Sequence, residues 1–187
     1  MKRNPPAKYL VEPVKLFAAL LYRESGPLEH AREALREAYG EEDFISEPSP
    51  FDHTDFYKPE MGAPLFRLFV SYRRLVPPSA LIAAKLEAER IENTLCREDG
   101  GRQVNIDPGI LDYQKVVLAS YKYQGQKIYL GQRVWADLTL YYRKGGWSKF
   151  EWTFPDFKTG MYDKILLEVR RLYKLQRLED SSAVEPA

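Results

Sequence analysis

The chain has few of the residues that build disulfide or metal-held frameworks. Its 187 residues include one cysteine, Cys96, and two histidines, His30 and His53. A single thiol excludes an internal disulfide framework and a zinc site built from several thiolates. Two histidines exclude a three-histidine metal site, and we assign no residue to a metal. Because a chain without disulfides suits a reducing compartment, we expect a cytoplasmic protein.

Motifs of well-known activities are absent too. The sequence contains no phosphate loop G-x-x-x-x-G-K-[ST], no dinucleotide motif G-x-G-x-x-G and no nucleophile elbow G-x-S-x-G. The net charge is +1, so no long-range field favours nucleic acid or a membrane surface. The apolar run Val14 to Tyr22 contains Lys15 and is too short to cross a bilayer. We therefore expect no membrane partner, and a local patch must bind any anionic ligand.

The composition is that of one globular domain. Hydrophobic residues make up 44% of the chain and charged residues 29%, which is enough to build a full core. Prolines in residues 1–13 predict a flexible N-terminal arm. Residues 14–178 carry the periodic patterns of a single domain, and the polar residues 179–187 predict a disordered tail.

The order of elements in the first half predicts the fold class. Strand patterns and helix patterns follow one another as strand, helix, strand, strand, helix, strand, with the strands at Val14–Tyr22, Phe44–Glu47, Leu65–Leu75 and Gln103–Asp107. One helix runs from Ser25-Gly26-Pro27 to Gly40, and the other follows Pro77-Pro78-Ser79. This order predicts an α+β protein with a ferredoxin-like βαββαβ core.

The second half predicts an antiparallel extension of that core. Strand patterns separated by glycine turns occur at Val116–Lys122, Lys127–Leu130, Val134–Arg143 and Trp147–Trp152. They predict a C-terminal β-meander. A helical pattern from Met161 to Leu178 predicts a final helix packed by one apolar face.

One stretch concentrates groups that bind polar ligands or move protons. We call Ser49 to Gly62 the acidic loop, because it contains Asp52, His53, Asp55, Tyr57 and Glu60, and two prolines, Pro50 and Pro59, edge it. The prolines stiffen the backbone before a ligand arrives. We predict that His53 acts as a base and Asp55 as a catalytic or ligand-contacting carboxylate, with Asp52, Tyr57 and Glu60 as ligand contacts. Alternatively, the aspartates only cap turns.

Two later strands supply the other half of the predicted site. Asn105 and Asp107 are two residues apart and share a face, just before Pro108-Gly109 ends the strand. On the strand Val134–Arg143, alternation places Asp137, Tyr141 and Arg143 on one face. Because the two helices of a ferredoxin-like sheet cover one face, we expect the face with these residues, Arg67 and Arg73 to be open. Asn105 and Asp107 suit a purely structural turn equally well.

Together these residues predict a pocket where the acidic loop meets the later strands. Asn105, Asp107, Tyr141 and Arg143 are the predicted ligand contacts there, with Arg143 as an anion clamp. Carboxylates beside arginines suit a phosphorylated or nucleotide-like small ligand, and are compatible with a divalent metal held by oxygen atoms. The pattern does not separate an enzyme from a binding protein. Neither a cofactor nor an oligomeric state follows from it.

Several spaced segments resemble a known family. They are Pro13-Val14-Lys15-Leu16-Phe17, Phe51-Asp52-His53-Thr54-Asp55-Phe56-Tyr57, Glu60-Met61-Gly62, Val104-Asn105-Ile106-Asp107-Pro108-Gly109, Ile128-Tyr129-Leu130-Gly131, Leu138-Thr139-Leu140-Tyr141-Tyr142-Arg143 and Trp152-Thr153-Phe154-Pro155-Asp156-Phe157. The chain is similar in these segments to the bacterial and archaeal family of unknown function DUF4416. The resemblance implies a small cytosolic protein without an established activity. Some relatives carry a GTP-binding label, but this sequence lacks the phosphate loop for it.

Two other functions remain as alternatives. Aromatic residues interleave with basic ones through the meander. An open sheet surface of this kind can stack the bases of single-stranded RNA. The aromatic residues are Tyr121, Tyr123, Tyr129, Trp135 and Tyr141, and the basic ones are Lys115, Lys122, Lys127 and Arg133. This pattern predicts an RNA-binding or ribonucleoprotein-associated module. The third hypothesis is a non-catalytic scaffold.

Overall fold

The computed structural model describes residues 11–182, with side chains described as far as residue 179. Nine strands in this range form one antiparallel sheet: β1 (Lys15–Tyr22), β2 (Glu42–Ile45), β3 (Ser49–Pro50), β4 (Phe66–Tyr72), β5 (Val104–Leu111), β6 (Lys115–Ser120), β7 (Ile128–Gly131), β8 (Val134–Arg143) and β9 (Gly146–Lys149). Five helices accompany them: α1 (Ser25–Tyr39), α2 (Lys58–Met61), α3 (Ala80–Thr94), α4 (Pro155–Lys158) and α5 (Asp163–Ser182). The α+β class is confirmed, and the sheet is larger than predicted.

The first strand in the chain lies inside the sheet. The strand order is β2-β4-β1-β5-β6-β8-β7, with β3 paired to β4 and β9 paired to β8. All eight residues of β1 are buried, because β1 is paired on both edges and covered on both faces. The apolar run Val14 to Tyr22 predicted this, since strands buried on both faces lose the alternation of polar and apolar residues.

Helices α1 and α3 cover one face of the sheet. The predicted apolar stripe of α1 is buried at Leu28, Ala31 and Leu35, and that of α3 is buried at Leu81, Ala84, Ala88 and Ile91. These side chains pack on the even-numbered residues of β1, including Leu16, Ala18 and Leu20. The helical periodicity in the sequence therefore identified the residues that face the core.

Helix α5 covers the opposite face, so the predicted open polar face is wrong. Tyr162, Leu166, Val169 and Tyr173 pack there against Phe17 of β1 and other apolar residues of the same cluster. The odd-numbered residues of β1 include Phe17 and Ala19, and these need cover as much as the even-numbered ones do. As a result Arg67, predicted on an open surface, is 4% exposed.

Most element boundaries differ by a few residues from the sequence prediction, and two of the elements run past their predicted ends. Strand β5 does not end at Pro108-Gly109 but continues to Leu111. Gly109 fits inside it because a Cβ there would lie 2.4 Å from the Phe17 ring. Helix α5 extends to Ser182, four residues beyond the predicted end. Of the predicted arm and tail, residues 1–10 and 183–187 lie outside the described part of the chain.

A register shift divides the long strand β8. Leu138 pairs with Val117 and Leu140 pairs with Val116, so one residue of β8 is extra at this point. Leu138 consequently packs on the α1–α3 side of the sheet, whereas Leu140 lies in the α5 cluster. Such a bulge reverses the facing of all residues beyond it. The predicted shared face of Asp137, Tyr141 and Arg143 is therefore wrong.

Candidate functional site

A cavity of about 380 Å³ opens where β5 and β6 separate. The two strands pair over three residues, from Gly109–Leu118 to Leu111–Val116. Before Gly109, β5 pairs with β1 alone, and after Leu118, β6 pairs with β8 alone. Pro108 stands at this point and has no N–H to extend the ladder. The gap lies in the size range of small-molecule sites.

Five segments surround the gap. Asn105 and Asp107 of β5 and residues 118–120 of β6 form two sides. Helix α3 closes a third, and the acidic loop together with the segment Phe154–Phe157 closes the rest. Segments that are distant in the sequence thus line one cavity.

Helix α3 replaces the missing strand along one edge of the gap. Ile106 of β5 turns its backbone N–H and C=O away from β1, toward the side that β6 has left. The N–H donates to Glu92 Oε1 at 2.5 Å, and the C=O accepts from Lys85 Nζ at 3.2 Å. Both side chains are buried. Glu92 and Lys85 therefore satisfy backbone groups whose burial without partners would cost stability.

The environment of Glu92 alters its acidity. Burial raises the pKa of Glu92 to about 7, although Lys85, the Ile106 amide and Arg102 favour the charged form. Arg102 Nη1 lies 3.8 Å from Glu92 Oε2. A carboxyl group with such a pKa holds or releases a proton near neutral pH, which is the property expected of a general acid or base.

A buried arginine lies at the inner end of the cavity between two aspartates. Arg67 Nη2 is 3.6 Å from Asp107 Oδ2, and Nη1 is 3.6 Å from Asp156 Oδ2. Its Nε has no acceptor among the described residues. Burial opposes the charge, but Asp107 and Asp156 outweigh it and raise the pKa of Arg67. The guanidinium packs 4.7 Å above the Phe51 ring. Arg67 thus brings a positive charge and a free N–H to the inner end.

Basic and aromatic side chains form the outer part. Lys122 Nζ lies 3.6 Å from the centroid of the Phe56 ring, and no carboxylate of the described residues is within ion-pair distance of it. Burial, and then the charge of Arg102, lower the pKa of Lys122. Lys127 lies beside Phe154 and pairs with the buried Asp137 at 3.2 Å. Of these two lysines, Lys122 is the one that keeps its charge available for a ligand.

Four of the nine residues predicted for the site line the cavity: His53, Tyr57, Asn105 and Asp107. His53 Nδ1 is buried without a hydrogen-bond partner among the described residues and lies 3.6 Å from Asp52 Oδ1. Asn105 Nδ2 donates to Asp107 Oδ2 at 3.0 Å. Burial, followed by the charge of Asp107, raises the pKa of Tyr57 to about 12. The structure therefore brings the acidic loop and β5 together, as the sequence predicted.

The other five residues lie outside the cavity. The side chains of Asp52 and Asp55 are 85% and 84% exposed, and Asp55 pairs with Lys58 one helical turn later. Tyr141 packs against Phe150 on the far side of the β8 bulge. Arg143 is exposed at the end of β8.

Glu60, the fifth of them, acts on the cavity through a neighbour. Its carboxylate accepts hydrogen bonds from Arg102 Nε at 2.8 Å and Nη2 at 2.7 Å. Arg102 in turn lines the cavity and donates from Nη1 to Asn105 at 2.6 Å. Glu60 thus fixes the acidic loop to the segment that leads into β5.

The sequence analysis missed Lys85 and Glu92, although a signal existed. The two residues are seven positions apart and recur with Leu81 and Ala88 at helical spacing, so they lie on the buried side of α3. Charged residues on an apolar helix face require partners inside the protein. Asp156 and Lys127 gave no comparable signal, because their burial depends on contacts with segments that are distant in the sequence.

The aromatic residues of the meander pack in small groups. Tyr123 and Tyr129 both pack on Trp135, whereas Tyr121 packs beside Lys85 and Arg133, and Tyr141 beside Phe150. Arg133 joins two of these groups, because its guanidinium lies over the Tyr121 ring and its backbone N–H donates to the Tyr129 hydroxyl at 3.4 Å. The RNA-binding alternative stays a prediction.

The part of the chain that the structure describes contains neither a cluster of metal ligands nor a membrane-spanning helix. Within residues 11–182, no group of three histidine, cysteine, aspartate or glutamate side chains is placed to hold a metal ion. None of the helices described there combines the length and apolar character needed to cross a bilayer.

Comparison with known proteins places the chain in a family. Neither the curated proteins nor the solved structures gave a match. A family model does match, over residues 12–173, which includes every element from β1 to β9 and most of α5. The chain therefore belongs to the family described as a domain of unknown function, DUF4416.

Proposed function

We propose that this protein binds a small phosphorylated ligand in the cavity between β5 and β6. The observation that carries the proposal is Lys122, whose amino group lines the cavity without a carboxylate partner among the described residues. An unpaired cation beside an exposed aromatic ring favours an anionic group on the ligand. Arg102 lies near enough to lower the pKa of Lys122 and adds to the positive potential.

The cavity also contains a group suited to proton transfer, which favours an enzyme over a simple binding protein. Glu92, with a pKa of about 7, lies on its α3 wall. His53 also lines this cavity, and its Nδ1 is buried without a hydrogen-bond partner among the described residues. Asp55, predicted to be catalytic, lies outside the cavity and is not part of the proposal.

Two broader features belong to the proposal. We infer that β1, α1, β2, β4, α3 and β5 form a ferredoxin-like unit, which the strand order β2-β4-β1-β5 and the packing of both helices on one face support. The remaining strands and α5 extend this unit. A cytoplasmic location is proposed on the basis of the single free thiol of Cys96.

Thermal unfolding in the presence of paired compounds tests the binding proposal. Nucleotides and sugar phosphates are compared with their unphosphorylated counterparts, and at least one phosphorylated compound is expected to raise the Tm. Lys122→Gln is expected to weaken its binding by roughly ten- to a hundred-fold, as for loss of one charge-assisted hydrogen bond. Lys174→Gln, an exposed position on α5, is the matched control and is expected to bind like the wild type.

Two outcomes contradict the proposal. One is a set of phosphorylated compounds that leaves the Tm unchanged. The other is binding that Lys122→Gln does not weaken. The RNA hypothesis makes a different prediction, namely that single strands bind with a strong salt dependence and that Tyr129→Ala weakens them.

A further inference from the structure

The two ends of the cavity differ in charge. At the inner end, the positive charges of Arg67 and Lys85 balance the negative charges of Asp107 and Asp156. At the outer end, Lys122 has no carboxylate beside it among the described residues. An anionic group is therefore favoured beside Lys122 and disfavoured beside the two aspartates.

The inner end offers hydrogen-bonding groups of both kinds. Carboxylate oxygens are acceptors only, and Asp107 Oδ1 lies 4.0 Å from Lys85 Nζ, beyond hydrogen-bond distance. Arg67 Nε is a buried N–H without an acceptor among the described residues. A hydroxyl group both donates and accepts, so neighbouring hydroxyls complement an aspartate and this N–H together.

Burial makes these inner groups selective. Arg67 and Asp156 are 4% and 5% exposed. Buried polar groups without partners cost stability, and a ligand that supplies the partners recovers that cost. A site built to hydrogen-bond a hydroxyl therefore discriminates strongly against a ligand that lacks one.

We propose that the ligand is a phosphorylated sugar or polyol, bound with its phosphate at Lys122 and its hydroxyl groups at Asp107, Arg67 and Asp156. This assignment rests on the proposed function, since it names the ligand class of the same cavity. The volume of about 380 Å³ accommodates such a molecule, and the Phe56 and Phe154 rings lie beside the outer lysines, Lys122 and Lys127.

Calorimetric titration with ribose, inorganic phosphate and ribose 5-phosphate tests the assignment. In the wild type, ribose 5-phosphate is expected to bind at least ten-fold more tightly than inorganic phosphate, as roughly one hydrogen bond between a ligand hydroxyl and a charged group requires. Equal affinities of the two compounds overturn the assignment but leave phosphate binding, and so the proposed function, standing. Binding of neither compound, with no response to other phosphorylated compounds, overturns both.

Two variants test which end of the cavity binds the phosphate and which end binds the hydroxyl groups. Asp107→Asn keeps the shape of the side chain and is expected to remove most of the advantage of ribose 5-phosphate over phosphate, without weakening phosphate itself. Lys122→Gln is expected to weaken both ligands by a similar factor. If Asp107→Asn leaves the ratio of the two affinities unchanged, the hydroxyl end is wrongly placed. Asp156→Asn serves as the second inner variant, and circular dichroism confirms that each variant is folded before titration.

Discussion

Arg67 on β4 reaches across the intervening strand β1 to Asp107 on β5, with 3.6 Å between Nη2 and Oδ2. The β1 residue paired with Asp107 is Ala19, which is fully buried and small. A larger side chain at this position would stand between the two charges. The inner end of the cavity thus depends on three neighbouring strands.

Replacement of Arg67 by an uncharged residue is expected to destabilise the fold. Arg67→Met leaves the buried Asp156 without its cation and Asp107 with Lys85 alone, 4.0 Å away. Breaking a buried pair in this way costs about 3–5 kcal/mol of unfolding free energy. Urea denaturation of the variant and the wild type measures this difference in unfolding free energy. The control is Arg90→Ala, which removes an exposed ion pair with Glu87 on α3 and is expected to unfold like the wild type. Equal stability of Arg67→Met and wild type would contradict the arrangement.

A second buried ion pair joins α5 to the sheet. Lys15 of β1 is fully buried and pairs with Asp43, and Gln176 of α5 binds both of them. Burial lowers the pKa of Lys15, and Asp43 opposes that shift. We expect Lys15→Met to cost about 3–5 kcal/mol, because Asp43 then lacks its cation.

A double-mutant cycle separates this coupling from general damage. The combination Lys15→Met with Asp43→Asn is expected to cost clearly less than the sum of the two single changes, because no unpaired charge remains. Chemical denaturation of the four proteins gives the coupling free energy. Strict additivity would show that Lys15 and Asp43 do not act as a pair.

Glu92 is expected to make stability depend on pH. The folded state holds the Glu92 proton up to a pH of about 7, whereas the unfolded chain releases it near 4.5. Between these values the folded state binds more protons, so its stability falls as pH rises. Relative to Glu92→Gln, which cannot titrate, the wild type is expected to lose about 3 kcal/mol over this interval.

Denaturation of the wild type and of Glu92→Gln at pH values from 4 to 8 tests whether stability falls as pH rises. Glutamine keeps the oxygen that accepts from the Ile106 amide, so the comparison isolates the proton. Parallel stability curves for wild type and variant would contradict the raised pKa. A wild type that gains stability relative to the variant as pH rises would reverse the sign and show that Lys85 and Arg102 dominate.

Glu60 is expected to act by fixing the acidic loop. Glu60→Gln weakens the hydrogen bonds with Arg102 and should accelerate amide hydrogen exchange in residues 55–62. Ligand affinity should fall with it, because Arg102 and Tyr57 then lose their fixed positions in the cavity wall. Asp55→Asn is the matched control in the same loop, where the carboxylate is exposed and pairs only with Lys58. An unchanged rate of amide hydrogen exchange in Glu60→Gln would contradict the role of Glu60 in fixing the acidic loop.

Four of the residues predicted from the sequence lie together at the cavity. The density of polar groups in the acidic loop led to His53 and Tyr57, and the spacing of Asn105 and Asp107 put both on one face of β5, where all four residues line the cavity. The sequence prediction failed at Tyr141, because a single extra residue in β8 reverses the facing of the rest of the strand. No composition or periodicity marks the position of such a bulge.

Hydrophobic periodicity by itself determined the longer strands and helices, the α+β class and the burial of β1, because each depends on which residues in a short segment must avoid water. It did not indicate the short elements β3, α2 and α4. The tertiary structure alone decided that α5 covers the second face, that β5 and β6 separate after three paired residues, and that Lys85 and Glu92 fill the place of a strand. The physical reason is range: periodicity acts over a few residues, whereas the cavity is formed by backbone and charged groups that become neighbours only when distant segments pack together.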